Sequence, residues 1–510
     1  MSRDLEFGRG ICTQLGRGPF SVVFHKLIHS DFLSRASCWR ERVALCDGTR
    51  QVCYGDLLER ARRLAAILHR KASPGSVRPI ALCGGKSIDA VVAIVAALLT
   101  GRGYTFLNPR QRASRLSCMV DQLRPALIVD LGSDEWDHNP HAIAGEAPVI
   151  QLPVEVPDDP IDPVMRIEGC AYTFFTSGST GGPKGVVVSH SAAWLAQQGF
   201  IADVGLNADD VVCSEMALGF DVSTIDIFAT LAVGATLHVT PEAVVEDPKA
   251  LFRHLIDRRI TRLFTCPTAA RLVLEAEPNA AEQLGRLKLC LTGELIPARL
   301  AALIRPLITE GRVTNQYGAT EFPFGLSRRL TLADIEKPNV INNPTSGSPV
   351  SVRLSDLGDV TLAGPGLFSG YVSPETDFSA PLRAVESFMT GDRAEPQAAG
   401  VLRLLGRSDN QCRKDGHRIE LREIECAAEQ YTHVDLCYVS YDAVANEIIA
   451  RVTAKEGAGV RLDLKAIATH LERMLPAYML PARIEQMAEA PRTLSGKKRY
   501  QGIADAWVVQ

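Results

Sequence analysis

Short apolar stretches alternate with stretches of helical spacing along most of the first 320 residues, and no other feature restricts the fold so far. Residues 78–83, 104–107 and 126–130 read as strands, with a buried helix over 87–99 between the first two. Residues 211–215, 236–239, 262–265, 287–292 and 313–317 also read as strands, and 220–233 and 248–258 as helices. Such alternation is the signature of a wound, mostly parallel sheet. Residues 29–37 and 52–69 predict helices ahead of it, and 192–201 a helix capped by Ser191. From 346 to about 405, short alternating segments separated by Gly and Asp predict an antiparallel, barrel-like sheet. About 100 residues of α/β pattern follow a boundary at 407–410. The expected fold class is α/β. A large N-terminal domain of wound mixed sheets with a β-barrel-like subdomain spans 1–408, and a small C-terminal α+β lid domain spans 409–510.

A chain of 510 residues is too long for one ordinary core. Hydrophobic content of 46% and charged content of 22% describe a soluble globular protein. A net charge of −4 encodes no pull toward nucleic acid or an anionic membrane, and neither is expected as a partner. The longest apolar run, 90–99, is too short to span a bilayer, and the N-terminus lacks a signal pattern. Thirteen scattered cysteines with no CxxC pair predict reduced thiols and a cytoplasmic setting.

Between two strand-like stretches, residues 176–185 read Thr-Ser-Gly-Ser-Thr-Gly-Gly-Pro-Lys-Gly. Glycines let a backbone approach a ligand closely. Hydroxyls and exposed N–H groups donate to anionic oxygens, and the lysine adds a charge. The segment is therefore a candidate phosphate-holding loop, with Thr176, Ser177, Gly178, Ser179, Thr180, Gly181 and Lys184 as its binding residues. It lacks the Gly-x4-Gly-Lys-Ser/Thr spacing of the common nucleotidase loop.

This loop resembles the phosphate-binding loop of the acyl-adenylate-forming superfamily, which includes acyl-CoA synthetases and the adenylation domains of nonribosomal peptide synthetases. Further stretches match in the family's order, over about 52–500. Gln316-Tyr317-Gly318-Ala319-Thr320-Glu321 resembles its strand-end motif, which implies that Thr320 contacts the α-phosphate and Glu321 helps to hold Mg2+. An oxygen-seeking cation suits one carboxylate plus phosphates and water. Thr390-Gly391-Asp392 resembles the motif whose aspartate binds the ribose hydroxyls, and Arg407 in the following hinge motif also reaches the nucleotide. Asp409 is the implied pivot between the two domains. Lys414 to Glu420 continues that match, with Asp415 standing where a basic residue is usual. Residues 491–497 resemble the terminal motif whose lysine, Lys497 here, bridges substrate carboxylate and α-phosphate and stabilises transition-state charge.

Membership implies that ATP and a carboxylate become acyl-AMP and pyrophosphate, without naming the acid. Phe220-Asp221-Val222-Ser223 resembles the stretch in which amino-acid-activating members pair an aspartate with the substrate ammonium. A buried carboxylate is costly unless paired, although Asp221 could instead cap the helix after it. By the same resemblance Val222, Ile225, Phe264, Cys290, Thr292, Gln316, Phe324 and Gly325 line a pocket for a small to medium, mainly apolar amino acid. No carrier-like serine module follows residue 497, so the expected acceptor is the phosphopantetheine thiol of a separate carrier protein. An activating small partner stays open, and an acid–CoA ligase is the rival reading.

Overall fold

The structure is a computed structural model. It describes residues 27–487 except 133–139, 153–159, 165, 167, 178–181, 345–347, 374, 398–399, 408–410, 444 and 456–460.

Two wound sheets form the larger part. In the first, the strands Val149–Gln151, Leu127–Asp130, Ile80–Cys83, Tyr104–Leu107 and Cys170–Thr176 run parallel, and Lys184–Ser189 closes the edge antiparallel to Cys170–Thr176. Three of these strands are buried at every position, so they read as unbroken apolar runs rather than alternating ones. The helix Ile88–Leu99 exposes only Asp89 and starts where Ser87 Oγ accepts the Ala90 N–H at 3.1 Å.

The second sheet has eight strands. From one edge they are Phe322–Arg329, Val313–Ala319, Lys288–Thr292, Arg262–Thr265, Val211–Ser214, Thr236–Val239, Val43–Cys46 and Gln51–Cys53. The inner pairs are parallel and the two outermost are antiparallel. The predicted strand–helix alternation thus resolves into two mixed sheets. Strands Val43–Cys46 and Phe322–Arg329 and the helix Ala113–Leu123 are additions that the sequence reading does not assign.

One cap differs from expectation. The helix His190–Val204 is capped by Ser189, whose Oγ accepts the Ala192 N–H at 3.3 Å, and Ser191 already lies inside the first turn. The preceding strand runs directly into this helix, which leaves the strand's last serine at the boundary.

Among the described residues, strands Val340–Asn342, Ser351–Leu354, Asp359–Ala363, Phe388–Gln397 and Val401–Arg407 form an antiparallel sheet in the barrel-like region. Beyond it, strands Gln411–Lys414 and His417–Glu420 make a hairpin, followed by helix Leu421–Glu429, a three-stranded sheet and helix Leu464–Met474. These elements share a core of their own, with Ile419, Ile424, Val452, Ile467 and Met479 at its centre.

Among the described residues, no helix is long and apolar enough to cross a membrane.

Candidate active site

In open α/β sheets, ligands bind beyond the carboxyl ends of the parallel strands. The same holds for the groups gathered here. Thr176-Ser177 end one strand, and Met216 to Asp221 follow Val211–Ser214. Cys266 follows Arg262–Thr265, Gly293 follows Lys288–Thr292, and Ala319-Thr320 close Val313–Ala319. Together they line one cleft, and the hairpin 411–420 covers its mouth with Arg413, Gly416, His417 and Arg418.

The predicted substrate residues Asp221, Val222, Ile225, Phe264, Thr292 and Gln316 all line this cleft. Cys290 stands beside it, its Sγ 3.5 Å from Gln316 Oε1. Gly325 lies against the neighbouring strand. A Cβ there would meet the Tyr317 carbonyl oxygen at 1.9 Å, so the close strand approach excludes any side chain. Phe324 belongs to the same strand, and its side chain lies outside the described residues.

Asp221 stands at the start of helix Val222–Val233 in helical backbone geometry and makes no side-chain cap bond. The Val222 and Asp221 N–H groups nevertheless face its carboxylate, a local contact at the helix start. Burial pushes its carboxyl above the usual carboxylate range, the Arg413 guanidinium draws it back, and the Glu321 charge adds to the rise.

On the nucleotide side, Thr176, Ser177, Gly318 and Thr320 line the cleft. Asp392 lies behind them, its Oδ2 accepting the Tyr317 hydroxyl at 2.7 Å and its Oδ1 the Arg407 Nη1 at 3.1 Å. Arg407 Nη2 also donates to the Thr390 carbonyl at 2.9 Å. The carboxylate that the resemblance assigns to ribose is thus held in place by a phenol and a guanidinium. Lys184 lies over the ring of Tyr371, 5.7 Å from its centroid. The Tyr371 hydroxyl donates to Glu321 Oε1 at 2.9 Å.

Gly178, Ser179, Thr180, Gly181, Asp409 and Lys497 lie outside the described residues.

The sequence reading gave no role to the hairpin, yet several of its groups bond to residues at the cleft. Asp415 and Gly416 have φ of 52° and 80°. This is the paired positive φ of a two-residue hairpin turn, for which Asp-Gly is a preferred sequence. The departure at Asp415 is thereby accounted for, and the Asp-Gly pair is the local signal from which the hairpin could have been read. The Gly416 N–H donates to Glu294 Oε1 at 2.5 Å, while Glu294 Oε2 accepts from the Thr268 N–H and hydroxyl. Arg413 donates to the Gly318 carbonyl at 3.0 Å. Arg418 reaches Glu321 Oε2 at 2.5 Å. Ser177 Oγ donates to the Arg418 carbonyl at 2.9 Å and accepts the Glu420 N–H at 2.8 Å. His417 stacks on Tyr478 with ring centroids 3.8 Å apart, and burial holds its imidazole down at about 4. Behind the hairpin, Arg115 and Glu423 form an ion pair, 5% and 2% exposed.

Among the described residues, no three His, Cys, Asp or Glu side chains cluster as a metal cage. Glu321, 1% exposed, directly follows the cleft-lining Thr320, and a carboxylate there has the donor chemistry taken by a cation whose remaining ligands are phosphate and water oxygens.

An apolar pocket beside a hydroxyl- and arginine-lined cleft at strand ends suits a nucleotide and a small carboxylic acid side by side. The AMP-binding enzyme family model matches residues 32–372, and the chain belongs to that family. It is an adenylate-forming ligase of the AMP-forming kind, in a family whose members use ATP, and its relatives include nonribosomal peptide synthases. It is 27% identical over 488 residues to a dimodular nonribosomal peptide synthase of Bacillus subtilis (strain 168), which covers 91% of this chain and 20% of that protein. With syringomycin synthase SyrB1 of Pseudomonas syringae pv. syringae it shares 28% identity over 498 residues, 92% of this chain and 80% of that one. The chain thus spans only a fifth of the first relative and four-fifths of the second.

Two solved structures share the fold. PA1221, a nonribosomal peptide synthetase protein containing adenylation and PCP domains, aligns with TM-score 0.76 at 21% identity over 95% of this chain and 85% of its own. The o-succinylbenzoate CoA synthetase of Bacillus subtilis aligns with TM-score 0.79 at 18% identity, over 94% and 99%.

Proposed function

We propose that the protein activates an amino acid as aminoacyl-AMP with release of pyrophosphate, then transfers the aminoacyl group to the phosphopantetheine thiol of a separate carrier protein. The observation that carries this reading is Asp221. It is an acid with no cap bond, its carboxyl is pushed up by burial, and it sits in a largely apolar pocket. An ammonium group on the substrate supplies the cation that such a carboxylate favours. Val222, Ile225, Phe264 and Thr292 leave room for an apolar side chain, with Gln316 as the long polar group facing it.

The loop with Thr176, Ser177 and Lys184 holds phosphates, and Asp392, positioned by Tyr317 and Arg407, takes the ribose. Mg2+, held with ATP by Glu321, would neutralise charge on the phosphates. Lys497, on a C-terminal domain of 409–510 that pivots at Asp409, serves the adenylation step. The larger domain is 1–408, and the working compartment is the cytoplasm.

The rival is an acid–CoA ligase, favoured by the fold likeness to a CoA synthetase. The deciding experiment is ATP–pyrophosphate exchange across the proteinogenic amino acids, D-alanine and several β-amino acids. Exchange with one or a few is expected. Exchange with aryl or fatty acids alone would overturn the amino-acid reading.

A further inference from the structure

Glu321 has both carboxylate oxygens occupied, by the Tyr371 hydroxyl at 2.9 Å and by the Arg418 guanidinium at 2.5 Å. The two partners differ in origin. Tyr371 belongs to the large part of the molecule, whereas Arg418 arrives on the hairpin, 97 residues along the chain from Glu321. Arg418 is also held from within the hairpin, because its Nε donates to Gln411 Oε1 on the opposite strand at 2.8 Å. Its own carbonyl and the next-but-one N–H close on Ser177 Oγ. One short stretch of hairpin therefore engages a hydroxyl of the phosphate loop and the carboxylate suited to the metal.

We infer that Arg418 takes the place of the divalent cation at Glu321 when the hairpin is docked, so that a metal–nucleotide complex and the docked hairpin exclude each other at this carboxylate. Glu321 is 1% exposed, and a buried carboxylate left without a cation is costly. Two cations on one buried carboxylate, with Tyr371 already on the other oxygen, would repel each other. Arg418 is thus a positioning residue. It keeps Glu321 matched after metal and pyrophosphate have left, and its withdrawal is a condition for loading the next metal–ATP. The inference rests on the reading of Glu321 as the metal carboxylate.

The test is calorimetric binding of α,β-methylene-ATP, with and without Mg2+, to the full chain and to Arg418→Ala, Arg418→Lys and Glu321→Gln. Affinity for a ligand falls in proportion to the fraction of molecules able to accept it, so clearing Arg418 should tighten binding of the Mg2+ complex by about tenfold. Without metal, clearing Arg418 bares Glu321 to the triphosphate, and like charge holds the gain to about twofold or less. Arg418→Lys, which keeps the charge without the fork, should fall between wild type and Arg418→Ala. A variant that merely damaged the fold would weaken both ligands rather than tighten one. Equal tightening for both ligands, or none for either, would overturn the inference while leaving Glu321 as a metal residue if Glu321→Gln weakens the Mg2+ complex. If Glu321→Gln leaves the Mg2+ complex at wild-type affinity, the metal reading and the inference fall together.

Discussion

The two walls of the cleft settle their charges differently. On the wall beneath the hairpin, Glu321 meets Tyr371 and Arg418, and Asp392 meets Tyr317 and Arg407. Glu294 meets Thr268 and Gly416. On the other side, Asp221 stands among Val222, Ile225 and Phe264, and burial raises its pKa. Among the described residues Asp221 makes no ion pair, and the only positive charge acting on it is that of the more distant Arg413; on the proposed reading the ligand's ammonium completes it.

Removing the unmatched acid is the sharpest way to break this contrast. Asp221→Ala should raise the KM for the amino acid by roughly 100-fold, as expected when one member of a desolvated charge pair is lost, and leave the KM for ATP nearly unchanged. Steady-state exchange kinetics with each substrate varied would show it, and equal rises in both KM values would make Asp221 a structural residue.

The matched wall depends on the C-terminal elements staying docked, and Arg115–Glu423 is the buried pair behind them. Arg115→Met leaves Glu423 buried without its guanidinium, which costs about 3–5 kcal/mol. Limited proteolysis should then cut the C-terminal elements far sooner than in the wild type. An unchanged cleavage rate would mean that the hairpin contacts alone hold them.

A smaller effect sharpens the contrast from the core. His29 is fully buried, neither ring nitrogen is hydrogen-bonded among the described residues, and it packs against His190 with centroids 5.6 Å apart. Here an unmatched group is tolerated by staying neutral. Burial lowers the imidazole from 6.5 to about 4. A depressed pKa makes the folded state bind fewer protons than the unfolded one. The stability from neutral His29 is therefore complete above about pH 6.5 and lost as pH falls toward 4, up to about 3 kcal/mol. His29→Leu should flatten that acid limb in denaturant titrations between pH 7 and 4, and a limb of unchanged slope would clear His29 of the role.

The sequence made several site groups legible because Thr176-Ser177 and Thr320-Glu321 stand at strand ends and Asp221 opens the helix after one. Thr176-Ser177, Asp221 and Thr320-Glu321 need only a strand and its exit to be placed. Strands Val43–Cys46 and Phe322–Arg329 are harder, because both lie at the antiparallel ends of the large sheet, where no helix crossover announces them. The hairpin's partners were invisible for another reason. Arg418 to Glu321 and Ser177 to Glu420 are contacts across 97 and 243 residues, and nothing local to either end encodes them. Only the Asp-Gly turn, which forms the hairpin, leaves a local trace.

The placement of the cleft at strand exits separates two kinds of commitment. Interior positions such as Ile80 to Cys83 are spent on cohesion, whereas Met216 and Val222 follow a strand that has ended and Thr292 is the last residue of its own. A combinatorial library confined to those rim positions should explore new acids while drawing little on the reserve that keeps the chain folded. Selectivity can therefore drift on a scaffold that does not.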